Sequence, residues 1–168
     1  MAEIIDLWPD KIAVAKLITP VTILRQQASL LGKKTKNIVQ GEVANWKLNI
    51  GAEYDFQYVF YIGAPALDNY RYRLLGIFYN VSALYPVIID VEDEEIQKEI
   101  PSKFKYGEKI FGPSTKERIS VKANSEEEFL DILKAIFNSA KVLRVISVLL
   151  SQSDPSYDPS LKEEEIPQ

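Results

Sequence analysis

Apolar positions recur with two different periods along this 168-residue chain. Between Pro20 and Leu31, "PVTILRQQASLL" places Leu24, Ala28 and Leu31 on one helical face with Ile23 and Gln27 beside them. Thr19 is a suitable cap, Pro20 a suitable first position, and Gly32 a suitable end. The spacing therefore predicts a helix over 20–31. The preceding "DKIAVAKLI" at 10–18 is apolar at Ile12, Ala15, Leu17 and Ile18 and predicts a short helix of its own, separated from the next by Pro20.

From Asn37 onward the period shortens to two. In "YDFQYVFYI" at 54–62, Tyr54, Phe56, Tyr58, Phe60 and Ile62 alternate with Asp55, Gln57, Val59 and Tyr61, the mark of a strand. "GAPALDN" supplies turn residues, and a second strand follows at 70–81. A third begins near Tyr85 with Pro86 at its start, and a segment at 38–48 precedes all of them. A shorter fifth strand fits "RISVKA" at 118–123, whereas 107–117 reads as a turn-rich connection without the glycine and lysine spacing of a phosphate loop.

"NSEEEFLDILKAIF" returns to helical spacing. Asn124 or Ser125 caps it, with Glu127 or Glu128 at the capping-box position and Phe129, Leu133, Ile136 and Phe137 as the apolar face. After Asn138 and Ser139 a second helical segment is expected, with Val142, Leu143, Ile146, Leu149 and Leu150 as its buried set, and a strand through "VLRVISVLL" as the rival. The sum is an α+β fold, an antiparallel meander of four to five strands covered by an N-terminal helix and C-terminal helices. Residues 1–150 form a single domain by this reading, and 151–168 an acidic, disordered tail.

Charge sharpens the picture. The net charge is -4. The segment 151–168 carries five acids against Lys162, so 1–150 is neutral. A neutral body is a poor match for nucleic acid, which needs a basic footprint; weak binding is the most that Lys33, Lys34 and Lys36 beside Arg71 and Arg73 would support. Within the body the bases gather between Lys16 and Lys47 and the acids between Asp90 and Glu99.

No cysteine and no histidine are present, so thiolate and imidazole chemistry are excluded, and with them the usual zinc and iron–sulfur ligands. The acids from Asp90 to Glu95 lack the order of a Ca²⁺ loop and read as surface. No metal or cofactor is expected. The opening "MAEIIDLWPDK" carries acids where a secretory signal carries bases, and no run of eighteen uncharged apolar residues occurs, which predicts a cytoplasmic protein without a membrane span.

"NYRYRLLGIFYN" at 69–80 holds the strongest candidate for contact with a partner. Strict alternation puts Tyr70, Tyr72, Leu74, Gly76 and Phe78 on one face and Arg71, Arg73, Leu75, Ile77 and Tyr79 on the other. Tyr and Arg combine large contact area with directional polar groups, so Arg71, Arg73, Tyr58, Tyr61, Tyr70 and Tyr72 are the expected contact residues for a protein or small ligand. The structural alternative pairs Arg71 and Arg73 with Asp55 or Glu53 on the neighbouring strand. These features favour a non-enzymatic binding or accessory protein, leave room for a homo-oligomer, and keep an enzyme working through carboxylate, lysine or tyrosine as the alternative.

Overall fold

The computed structural model describes residues 3–12, 17–46, 54–110 and 118–156; for 106–110 and 118–120 it is the backbone alone that is described. Helix α1 spans Pro20–Lys34. Thr19, in extended conformation, accepts a hydrogen bond from the Thr22 N–H through its side chain, and Pro20 opens the helix as expected. The helix continues past Gly32 because Thr35, not the glycine, closes it: the single Thr35 hydroxyl proton has the carbonyl oxygens of Val39 at 2.6 Å and Leu31 at 2.9 Å within reach, and Oγ1 accepts from the Val39 N–H. Lys33 and Lys34 sit at the negative end of the helix dipole. Lys36 and Asn37 take the positive φ values that the turn requires. Residues 10–12 and 17–19 are not helical, and the rest of the expected helix at 10–18 lies outside the described residues.

Among the described residues six strands follow: β1 (Gln40–Asn45), β2 (Phe56–Ala64), β3 (Tyr70–Tyr79), β4 (Val87–Asp90), β5 (Lys105–Ile110) and β6 (Arg118–Ala123). All pairings are antiparallel, in the order β1-β2-β3-β4-β6-β5. The meander thus holds through β4, and then the chain crosses to the far edge before returning beside β4. The additional strand is β5, which begins just before the stretch expected to be a connection. Its pairing with β6 shifts register between Tyr106 and Lys109, around Gly107, so no clean alternation marks it in sequence. The crossing includes α2 (Glu94–Glu99), a short helix within the acidic run. Asp93 caps it by accepting from the Glu95 N–H at 2.9 Å, and Glu94 and Glu95 suit its first turn.

Helices α3 (Glu126–Phe137) and α4 (Ala140–Ser153) are the last elements among the described residues and join α1 on one face of the sheet. Ser125 accepts from the Glu128 N–H, and the Glu128 carboxylate accepts from the Asn124 N–H, closing the capping box. Ser139 is buried at the junction, accepting from the Val142 N–H and donating to the Ile136 carbonyl at 2.7 Å. Two helical segments, rather than a helix and a strand, are the outcome. The core between helices and sheet is built from Leu24, Phe60, Ile62, Leu75, Ile77, Ile89, Phe129, Ile132 and Ile136, all nearly inaccessible. Each contributes about 1.5–3 kcal/mol by leaving water.

A bulge in β3 decides which side chains face that core. Phe60 pairs with Leu75 but Tyr61 pairs with Arg73, so Leu74 has no opposite number on β2. Strict alternation therefore fails in mid-strand. Leu75, Ile77 and Tyr79 face the helices after the bulge, and Tyr72 and Leu74 face them before it. Arg71, Arg73, Gly76 and Phe78 are consequently together on the second face, beside Trp46 and Tyr61.

Candidate functional site

The second face of the sheet carries a row of guanidinium and aromatic groups. Arg71 lies over the Tyr61 ring, 4.3 Å from its centroid, and donates to Glu42 Oε1 at 3.1 Å. Arg73 lies over Trp46 at 4.6 Å, and Trp46 in turn packs on Phe78 at 4.8 Å. Its Nη2 donates to Asp90 Oδ2 at 3.0 Å, and its Nη1 is 3.5 Å from Glu92 Oε1. Asp90 is fully inaccessible and Arg73 only 19% exposed, so this pair belongs to the interior of the face. Arg71 and Glu42 are about half exposed and form its open end.

Partners for both arginines differ from those expected on the neighbouring strand. Asp55 instead accepts from the Val81 N–H at 2.9 Å, bracing the strand ends, and Glu53 lies outside the described residues. Glu42 comes from β1, two strands away from Arg71, and Asp90 from β4, so sequence proximity to the hairpin was no guide to either.

Of the six expected contact residues, the second face brings together Arg71, Arg73 and Tyr61. The other three face the helices. Tyr58 stacks on Tyr79 at 6.1 Å with Arg25 above it. Tyr70 is 48% exposed and lines a hollow of about 410 Å³ with Arg144 and Val148. Tyr72 donates to Asp93 Oδ2 at 2.9 Å, and Lys141 Nζ stands 3.4 Å from the same oxygen. Burial and the Asp93 hydrogen bond push the Tyr72 hydroxyl above its ordinary range, so it remains a donor. Burial alone would push Asp93 up as well, but bonds from Tyr72 and the Glu95 N–H, together with Lys141, outweigh it and hold the carboxyl below 3.8. A stably protonated tyrosine bound to a stably ionised carboxylate joins β3, α2 and α4; it offers no poised base.

A second site emerges between the helices. The C-terminal half of α1, with α3 and α4, encloses a cleft of about 520 Å³ floored by Phe60, Ile62 and Leu74. Leu30, Leu130 and Leu143 line it while 42%, 44% and 51% exposed. Its charged residues are Lys34 and Lys134, and neither has an ion-pair partner among the described residues. Apolar periodicity marks Leu130 and Leu143 for burial, yet the apolar arcs of α3 and α4 are wider than the sheet can cover. That excess width is the signal in sequence that a cleft exists.

Among the described residues, no three side chains of metal-ligating type are gathered to hold an ion, and no helix is long and apolar enough to cross a membrane. Function therefore has to be argued from this geometry, since comparison with protein-family models, curated proteins and solved structures found no match to the chain.

Proposed function

We propose that this chain is a non-catalytic binding module whose working surface is the α1/α3/α4 cleft, taking an apolar segment or ligand that carries negative charge. The observation that carries the reading is the combination of three exposed leucines around an apolar floor with two unpaired lysines in the lining. Contiguous apolar surface of this kind marks contact sites, and unopposed cations select an anionic occupant. An anionic apolar fluorophore, anilinonaphthalene sulfonate, tests it. Saturable binding should fall roughly ten-fold in Leu143→Glu and less steeply in Lys34→Ala with Lys134→Ala. Val148→Glu, on α4 but outside the cleft, should leave binding unchanged. Equal affinity in wild type and Leu143→Glu would refute the reading.

A second reading rests on the open end of the other face. Arg71 is already ordered over Tyr61, so a carboxylate-bearing protein partner would meet a preformed site without ordering that side chain. Arg73 then acts from behind by holding Trp46, while Tyr70, Tyr72 and Tyr58 contribute through the helix layer. Retention of a native partner by wild type and its loss in Arg71→Ala would support this surface, and identical recovery would remove it. The enzyme alternative rests on no comparable observation.

A further inference from the structure

Among the described residues, 3–12 hold the least satisfied apolar surface. Ile4, Ile5, Leu7, Trp8 and Ile12 are 98%, 77%, 87%, 75% and 73% exposed. Scattered apolar side chains are ordinary on protein surfaces, but five large ones within ten residues are not. The segment has no helix or strand, and the Trp8 N–H donates to Asp6 Oδ1 at 3.0 Å within it. It carries Glu3, Asp6 and Asp10 against Lys11. The cleft has the opposite endowment, apolar walls with Lys34 and Lys134 and no acid in its lining. One chain thus contains both halves of a complementary pair, and they are not in contact within it.

We propose that segment 3–12 of one copy occupies the α1/α3/α4 cleft of a second copy, with its leucine, isoleucines and tryptophan on the apolar floor and its acids toward Lys34 and Lys134. This rests on the cleft reading above and names its occupant. In a two-fold dimer each copy gives one arm and receives one, so every contact counts twice. At the stated exposures the five side chains remove on the order of 800 Å² per arm from water, the per-partner share of a standard-size interface. A span of at most about 29 Å from Ile12 to Pro20 also lets an arm reach back toward its own chain, so the experiment has to separate exchange from self-seating.

The absence of cysteine makes that separation direct. Leu7→Cys and Gln27→Cys, on the arm and on the cleft wall, are prepared as separate full-length chains that keep Trp8, the arm isoleucines and the cleft leucines, then mixed and mildly oxidised. The expected result is a covalent heterodimer in several-fold excess over either homodimer. Lys34→Glu with Lys134→Glu in the Gln27→Cys chain should cut its yield roughly ten-fold. Sedimentation of the unmodified chain should show a dimer that Trp8→Glu or Leu143→Glu converts to monomer with an unchanged circular dichroism spectrum. A heterodimer no more abundant than the homodimers overturns the proposal. So does a wild-type monomer at the highest soluble concentration, or a Leu7→Cys/Gln27→Cys double variant that closes only within one chain. Saturable fluorophore binding without heterodimer, read in the Trp8→Glu chain so that no arm competes for the cleft, would mean that another protein or a small amphiphile fills the cleft, leaving the cleft reading intact. Loss of both would end that reading too.

Discussion

Gly41→Ala tests how tightly the wall of the cleft is fixed. A Cβ at Gly41 would stand 2.5 Å from Ala28 Cα and 2.7 Å from Ala28 Cβ, with Phe60 Cζ at 3.0 Å. Ordinary carbon contacts lie near 3.5–4.0 Å, so about 1 Å of separation has to open between α1 and β1. The nearest obstacle is helix backbone, which cannot rotate away as a side chain would. Overpacking of this kind costs about 1–3 kcal/mol, and the backbone contact puts the expected loss near 3. Replacing glycine within a strand returns about 0.5–1 kcal/mol of backbone entropy, leaving a net loss of about 2. Gly63→Ala is the control, because its Cβ would meet the Tyr70 carbonyl oxygen at an ordinary 3.5 Å and should be neutral or slightly stabilising. Urea denaturation followed by circular dichroism reads both, with the midpoint of Gly41→Ala lowered and the slope unchanged. Since α1 forms one wall of the cleft, fluorophore affinity should change in the same variant. Equal midpoints for wild type and Gly41→Ala, or equal losses at both glycines, would refute the reasoning.

Arg73→Ala should destabilise by about 1–3 kcal/mol, since the buried Asp90 loses a charge-assisted hydrogen bond, and Asp90→Asn in that background should recover part of the loss in the same denaturation assay. Asp93→Asn should cost about 1 kcal/mol at neutral pH, read by thermal melts across a pH series. Because the folded carboxyl is held below 3.8, its contribution is present above that value and is lost as pH falls through the folded pKa, so the two proteins should converge there. Tyr85→Phe should leave stability unchanged or raise it by up to about 1 kcal/mol, because the Tyr85 hydroxyl is buried without a hydrogen-bond partner among the described residues; a clear loss on melting would contradict this. Fluorescence anisotropy at about 150 mM salt should show no submicromolar binding of DNA or RNA, since residues 1–150 carry no net charge and Lys33 shares a hollow with Glu42.

Legibility from sequence followed the range of the interaction involved. Helices α1 and α3 announced themselves because caps and apolar spacing are local: Thr19 and Ser125 do in three dimensions what their neighbours imply, whereas the run 142–150 suited a strand as well as the helix α4 that Ser139 caps. Strands β2 and β3 were equally plain. Strand β5 was not, because Gly107 and a register shift disrupt its alternation, and α2 was hidden inside a run of acids that also suits exposed surface. The contact residues were harder still. Arg71 and Arg73 were recognisable as chemistry, but Glu42 and Asp90 reach them through strand order, and the bulge parts them from Leu75, Ile77 and Tyr79, with which alternation grouped them. The cleft was legible only as apolar arcs on α3 and α4 wider than one sheet face needs; where it opens depends on how three helices sit relative to one another.

The unpaired Leu74 also acts as a lock against shear. An unbroken two-stranded ladder can slide by two residues and still send every side chain to its former side. Here such a slip would carry the odd residue away from the junction of Phe60 and Tyr61, and the stretch between old and new positions would be turned inside out. Either a guanidinium would enter the oily layer or an isoleucine would leave it. Misaligned hairpins are thereby penalised as soon as they collapse, so one extra leucine selects among folding routes as well as shaping the finished sheet.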